Sequence, residues 1–260
     1  MIKKFGVQAY SLRDKMTSEP EIRESFKKLA DFGYTQIQTA GYCGLTPEQY
    51  ASCAFDAGLE IIGTHSSMAE IFDQTEETMR IHKEILHTTN IGTGGIWGPA
   101  RDSKKNLFEY IDKLNNVADK ISKHGFKFTY HNHHMEFVRL PGENKTIMDY
   151  LYEELDPKNI SFCFDTYWVQ AGGASPEAWL RKLAGRVDII HLKDMVILDD
   201  GTKLYTDITE IGHGNLDFKG IIKIAEEIGV KYYIVEQDTC PGNPLDSLKF
   251  SADYIKENLM

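Results

Sequence analysis

Residues 29–40 read LADFGYTQIQTA, and the reading of this stretch decides the fold. A helical pattern runs up to Gly33, and directly behind the glycine the chain takes up the apolar character of a buried strand. Glycine adopts the left-handed conformation that ends a helix without steric cost, so the joint reads helix, stop, strand. The same joint recurs in AFDAGLEIIGTH (54–65), ISKHGFKFTYHN (121–132), LAGRVDIIHLKD (183–194) and AEEIGVKYYIVEQD (225–238). Five joints of one kind predict repeated helix–strand units.

Working outward, the strand-like segments are Phe5 to Ser11, Tyr34 to Ala40, Leu59 to His65, Ile91 to Trp97, Phe126 to Asn132, Ile160 to Thr166, Val187 to Asp194 and Tyr232 to Asp238. Helical patterns separate them. Ser18 with Glu21, and Thr46 with Gln49 behind Pro47, have the spacing of capping boxes, and a last helix is expected over Leu245 to Asn258. Strands alternating with helices call for a parallel sheet with right-handed crossovers, and eight such units in about 250 residues make a (β/α)8 TIM barrel of the α/β class. A doubly wound sheet uses the same units, but the first strand runs into AYSLRD without the glycine-rich turn that advertises that fold. No linker or composition shift divides the chain, so residues 1–260 are read as one TIM-barrel domain.

Among the 260 residues, 29 Lys and Arg face 39 Asp and Glu, a formal charge of −10. No Lys/Arg block supplies the basic face that binding to a phosphate backbone requires, which argues against nucleic acid as a partner. No run approaches the roughly 18 apolar residues of a membrane span, and the N-terminus lacks the apolar core of a secretory signal, so a cytoplasmic protein with no membrane partner is expected. The four cysteines form no CxxC pair and are read as reduced thiols. The sequence leaves a homo-oligomer open.

In a barrel the functional residues gather at the carboxyl ends of the strands. Here those ends carry Gln8, Gln38, His65, Trp97, the run YHNHHMEF (130–137), FCFD ending in Asp165, IIHLKD with His191 and Lys193, and YYIVEQD with Glu236 and Asp238. A carboxylate inside an apolar strand is costly to bury unless it is paired or bound to a cation. Asp165 and Glu236, joined by imidazoles from the fifth and seventh strands, form a four-ligand N/O set suited to one divalent ion: Mn²⁺, Zn²⁺, Co²⁺, Fe²⁺ or Mg²⁺. Alternation puts His131 and His133 on one face and Asn132 on the other.

With GVQAYSLRD, YHNHHMEF, FDTYWVQAGG, IIHLKDM, EIGHGNLDF and IVEQD in place, the whole chain resembles the xylose isomerase-like TIM barrels grouped as sugar phosphate isomerases/epimerases. Its YHNH form is most similar to the branch containing inosose dehydratase. The resemblance implies a metal held by residues of strands five to eight. Asp165, His191 and Glu236 match three ligands, and His131 stands where the family has a glutamate. The sequence leaves open which of His131, His133 or Glu136 completes the set. Gln38 likewise stands where relatives often carry Glu.

The expected chemistry is that of a divalent-metal-dependent isomerase/epimerase acting on a sugar or keto-sugar through an enediolate. Glu236 is assigned as ligand and base, His133 as a proton-transfer group and Lys193 as an electrophile. A lyase, dehydratase or hydratase, acting on a keto-sugar or cyclitol is the alternative, favoured by the strand-5 histidine. An abasic-site endonuclease is opposed by the acidic charge. Substrate contacts are assigned to Gln8, His65, Trp97, Glu136, Trp168 and His213. Gly212 and Gly214 look like a phosphate cradle but lack the strand-then-helix setting of one. Without a basic cluster, a neutral sugar or its keto derivative is expected as the small-molecule partner.

Overall fold

The computed structural model describes residues 1–260. Its strands are β1 (Gly6–Gln8), β2 (Gln36–Thr39), β3 (Glu60–Ser66), β4 (Asn90–Thr93), β5 (Lys127–His131), β6 (Ile160–Asp165), β7 (Val187–Leu192), β8 (Asp194–Asp199), β9 (Leu204–Thr209) and β10 (Tyr232–Val235). Eight of them close into a barrel in the order β1-β10-β7-β6-β5-β4-β3-β2, every pair parallel. The helices are α1 (Glu19–Asp31), α2 (Pro47–Asp56), α3 (Met68–Phe72), α4 (Thr75–Arg80), α5 (Lys104–Ser122), α6 (Ile147–Glu154), α7 (Thr166–Ala171), α8 (Pro176–Lys182), α9 (Phe218–Glu227) and α10 (Pro244–Asn258). The fold is the (β/α)8 TIM barrel of the α/β class.

Alternation along the strands divides the apolar residues between two cores. Phe162 and Phe164 of β6, with Ile190 and Leu192 of β7, join a cluster of 60 buried residues to which the helices contribute side chains such as Leu107, Ile111 and Leu114 of α5. On the other register, Cys163, Ile189 and Ile234 meet Ile62 in a separate cluster of four. Each fully buried Phe, Leu or Ile contributes roughly 1.5–3 kcal/mol relative to exposure. Two residues on from Cys163, Ile189 and Ile234, the same inner face carries Asp165, His191 and Glu236 toward the carboxyl end of the barrel.

Local signals hold with one exception. The Thr46 and Gln49 side chains form a reciprocal capping box with Pro47 in the first turn of α2. Ser18 makes no side-chain cap at α1, because Glu21 reaches one residue further back and accepts bonds from Thr17 N (3.1 Å) and Thr17 Oγ1 (2.5 Å). The first strand stops at Gln8, where a 3-10 helix over Ala9–Lys15 begins, and the fourth and last stop at Thr93 and Val235, short of the expected Trp97 and Asp238. Beyond the barrel rim there is no neighbouring strand to bond. The antiparallel hairpin β8–β9 was not anticipated, although Asp200-Gly201 between two apolar runs is a hairpin signal.

Gly6 marks the tightest stave. A Cβ there would lie 2.6 Å from Gln36 O and 2.7 Å from Ile234 Cδ1, one contact on each flanking strand. Overpacking of this kind costs about 1–3 kcal/mol. Gly6→Ala is therefore expected to lower the unfolding free energy by that amount, seen as a lower denaturant midpoint at an unchanged m-value, and a wild-type midpoint would contradict the close approach of β2 and β10.

Candidate metal centre and substrate pocket

At the carboxyl end of the barrel the fifth, sixth, seventh and last strands bring His131, Asp165, His191 and Glu236 together. One donor atom from each lies within 4.8 Å of those of the others, and all four residues are buried. His131 Nε2 is 3.4 Å from Asp165 Oδ2 and 3.9 Å from Glu236 Oε2, while His191 Nδ1 is 3.8 Å and 2.8 Å from the same two oxygens. Donors arranged tetrahedrally about 2.1 Å from one ion stand about 3.4 Å apart, so the spread brackets what a small divalent ion needs.

Lys193 lies beside this set. Its Nζ is 3.1 Å from Asp165 Oδ2, 2.8 Å from Glu236 Oε2 and 3.1 Å from Asp238 Oδ2, with only 1% of the side chain exposed. Three carboxylates around one ammonium leave two negative charges uncompensated in a buried place, an arrangement that a dication neutralises. The protonation states reflect the excess. Burial, reinforced by Glu236, pushes the Asp165 carboxyl above its usual range despite Lys193, and burial followed by Glu236 lifts Asp238 to about 6. Burial also acts to raise Glu236, but Lys193 and His191 outweigh it and hold that carboxylate well below the ordinary range. Burial acts to lower His191, yet Cys163 and Glu236 draw it well above the usual imidazole value. Burial alone dominates at His131 and His133, both pushed down to about 3. These two rings are neutral and have lone pairs to offer.

Supporting residues fix the donors. Gln38 Oε1 accepts from His191 Nε2 at 2.6 Å, which turns Nδ1 toward the carboxylates, as an outer partner does for a ligating imidazole. Asn132, on the opposite face from His131, accepts from Asp165 N at 3.0 Å through Oδ1. Asp165 Oδ1 accepts from Trp168 N at 2.9 Å and caps α7, leaving Oδ2 for the site. The Thr166 hydroxyl donates to backbone carbonyls of His191 and Lys193 or accepts from Lys193 N, stitching β6 to β7 at the rim.

Above the donors is a cavity of about 320 Å³ lined by Tyr10, Ala40, His65, Gly94, Trp97, His131, His133, Lys193, Glu236 and Asp238. His133 stands between two indoles, 5.3 Å from each of Trp97 and Trp168, and its buried Nδ1 has no partner. Gln8 reaches His65 Nδ1 at 3.4 Å and is fully buried, so it orients His65 from below. Trp168 lies behind the wall, with Lys193 Nζ 5.1 Å from its ring centre. A larger depression of about 540 Å³ between α3 and α5 carries a single carboxylate, Asp73, and no histidine.

Of the six expected substrate contacts only His65 and Trp97 line the cavity; Gln8 and Trp168 stand behind it, and Glu136 and His213 are placed elsewhere. Glu136 is wholly buried and does not line the cavity. Its carboxylate accepts from Tyr130 Oη (2.9 Å) and His133 N (2.9 Å), anchoring the turn that presents His133. His213 is 68% exposed, 3.5 Å from Glu210, and lines a different cavity with Asp207 and Cys240. The segment that looked like a phosphate cradle is filled by the chain itself. Asp194 accepts from the backbone N–H of Gly212 (2.9 Å), Gly214 (3.0 Å), Leu216 (3.2 Å) and Met195 (2.8 Å). Asp238, named among the strand ends without a role, and Tyr10, not named at all, also line the cavity. Asp238 carried the same strand-end signal as Glu236, whereas Tyr10 sits on the unanticipated 3-10 helix.

Filling of this nest predicts its own test. Hydrogen bonds to a charged acceptor are worth roughly 1.5–3 kcal/mol each, and buried donors left unpaired are costly. Asp194→Ala is expected to lose about 3 kcal/mol of stability and to speed hydrogen exchange at the amides of residues 212, 214 and 216; unchanged exchange there would refute the role given to Asp194.

Comparison with known proteins gives the family and the fold. An inosose dehydratase of Clostridium beijerinckii is 30% identical over 216 residues, covering 72% of this chain and 71% of that protein. A sugar phosphate isomerase/epimerase from Parabacteroides distasonis superposes with a TM-score of 0.80 at 24% identity over 98% of both chains. The probable 3-DHS dehydratase of Bacillus anthracis superposes with a TM-score of 0.73 at 17% identity, over 98% of this chain and 100% of that one. The family model described as xylose isomerase-like TIM barrel matches residues 2–258, and the chain belongs to that family.

Proposed function

We propose that this protein is a divalent-metal-dependent lyase that removes water from a keto-sugar or keto-cyclitol. The observation that carries the reading is the imidazole pair of β5. His131 occupies the donor position, and the neutral His133 presents a partnerless Nδ1 beside the cavity two residues on. An epimerase needs comparable proton carriers on the two faces of its substrate. Here the groups are unlike: His133 follows β5, and the Lys193–Asp238 pair follows β7 and β10, two and three strands away around the ring. Elimination needs such a pair, one group to accept a carbon-bound proton and one to protonate a departing hydroxyl. The dehydratase name of the Clostridium relative points the same way. The isomerase/epimerase reading shares the first proton abstraction and takes second place.

In this reading His131, Asp165, His191 and Glu236 hold the ion, which when bound polarises the substrate carbonyl and offsets the negative charge that develops as the neighbouring proton leaves. His133 takes that proton at Nδ1. The electron pair forms the new carbon–carbon double bond, and the β-hydroxyl departs as water with a proton from Asp238, which Lys193 holds in place. Glu236 serves as a ligand, its Oε2 already engaged by Lys193 and His191, each at 2.8 Å, and it leaves the carbon-bound proton to the partnerless His133. Trp97 and Tyr10 flank the ring, and His65 is placed to bond a hydroxyl. Lys193 is the only lysine or arginine lining the cavity, which favours an uncharged substrate.

Incubation of the metal-loaded enzyme with a panel of keto-sugars and keto-cyclitols in D₂O separates the readings. Loss of one water supports the lyase, and retained mass with deuterium beside the carbonyl overturns it in favour of isomerisation or epimerisation. The roles of the two histidines are separable as well. His131→Ala is expected to lose metal and activity together, whereas His133→Ala keeps its metal and loses at least about 100-fold in kcat, the usual scale for a proton-transfer group. Metal analysis showing the reverse would exchange the roles.

The direction of the His191 shift gives a further test. Its imidazole faces an acceptor at each nitrogen, Glu236 at Nδ1 and Gln38 at Nε2, and Cys163 and Glu236 draw it well above the usual imidazole value against burial, whereas burial pushes His131 down to about 3. Metal binding must displace the His191 proton, so affinity is expected to fall as pH falls below the His191 value. Calorimetry in buffers of different ionisation enthalpy should report about one proton released per ion. No release at neutral pH would contradict the assignment.

A further inference from the structure

A second group of donors converges one layer deeper in the barrel. Cys163 precedes Asp165 by two residues on β6, so alternation turns its thiol to the same inner face. It is fully buried against Ile62, Ile189 and Ile234. One donor atom from each of His65, Cys163 and His191 lies within 4.8 Å of the other two. The rings of His65 and His191 are 5.5 Å apart, centre to centre. In this neighbourhood His65 Nε2 is buried without any partner, and it offers a lone pair in the tautomer that carries the ring proton on Nδ1. An unpaired buried polar group is costly, and a lone pair that a ligand engages removes that cost.

We propose that His65, Cys163 and His191 form a second metal position, selective for a thiophilic ion such as Cd²⁺ or Zn²⁺, that competes with the carboxylate position above it through the shared histidine. The two donor sets differ in kind. Two carboxylates and two imidazoles suit hard and borderline ions, whereas a thiolate with two imidazoles selects softer ones. A neutral imidazole has one free lone pair, so His191 serves one ion at a time. Ligation releases the thiol proton to solvent, because the thiolate is the ligand. Three protein ligands leave a fourth place open on the ion. An ion held at this depth takes His191 away from Asp165 and Glu236. That this state is inactive rests on the function proposed above; that the deeper position binds a soft ion does not.

The test titrates the metal-free full-length protein with Cd²⁺ and follows the ultraviolet thiolate-to-cadmium charge-transfer band, with cadmium NMR of the wild type as a second reading of sulfur ligation. A band is expected in the wild type, lost in Cys163→Ala and retained in Asp165→Asn, which spares all three deeper donors. Absence of a sulfur signature in the wild type, or its persistence in Cys163→Ala, overturns the proposal. Cd²⁺ inhibition relieved by Cys163→Ala supports the competition. A normal sulfur signature together with full Mn²⁺ content in Asp165→Asn upholds the deeper position and sinks the carboxylate one.

Discussion

The buried ammonium of Lys193, held by Asp165, Glu236 and Asp238, is the interaction on which the rest of the site depends. One positive charge lets three carboxylates be buried at a single barrel mouth, and it leaves an excess of negative charge behind. That excess raises Asp165, Asp238 and His191 in their readiness to hold protons, and it makes the mouth receptive to a cation. Without Lys193 the carboxylates would face one another in a medium that screens poorly, and each would favour its neutral form.

The barrel supplies this arrangement by geometry. The strands tilt and their register steps around the ring, so His131 pairs with Cys163 across β5 and β6, yet it shares the mouth with Asp165, two residues on, which pairs with His191 across β6 and β7. Around the donors a polar collar fixes each orientation: Gln38 on His191, Asn132 and Trp168 N on Asp165, and Glu136 beneath the turn of His133. Most of these outer residues are themselves buried, so their hydrogen bonds cannot be exchanged for water without loss. The result is a pre-positioned site rather than one assembled by its ligand.

Membership of the xylose isomerase-like barrels accounts for the framework, and the proposed chemistry rests on the residues this chain carries at the barrel mouth. An imidazole at position 131 in place of a carboxylate leaves the donor set one negative charge poorer, which strengthens the pull of a bound ion on a carbonyl. The neighbouring His133, boxed between indoles and unpaired, adds a neutral proton acceptor at the cavity wall. Both features favour removal of a leaving group over return of the same proton.

The sequence by itself determined the eight-unit barrel, because helix-ending glycines and strand parity are local properties written within about a dozen residues. It also named the polar strand ends, since Asp165, His191 and Glu236 each interrupt an otherwise apolar strand. Parity further put His131 and His133 on one face, with Asn132 on the other. What it could not decide lay beyond the strand ends, where no periodicity survives. Glu136 folds under its own turn, His213 faces solvent, Asp194 fills the nest of Gly212 to Leu216, and β8–β9 projects as a hairpin. Long-range closure decided the remainder. Gln38 meets His191 across 153 residues of chain, and Lys193 finds all three of its carboxylates only when β6, β7 and β10 lie side by side. Local sequence sets backbone conformation and which side of a strand faces inward; only the closed ring fixes which of those inward groups share one buried volume and one electrostatic field.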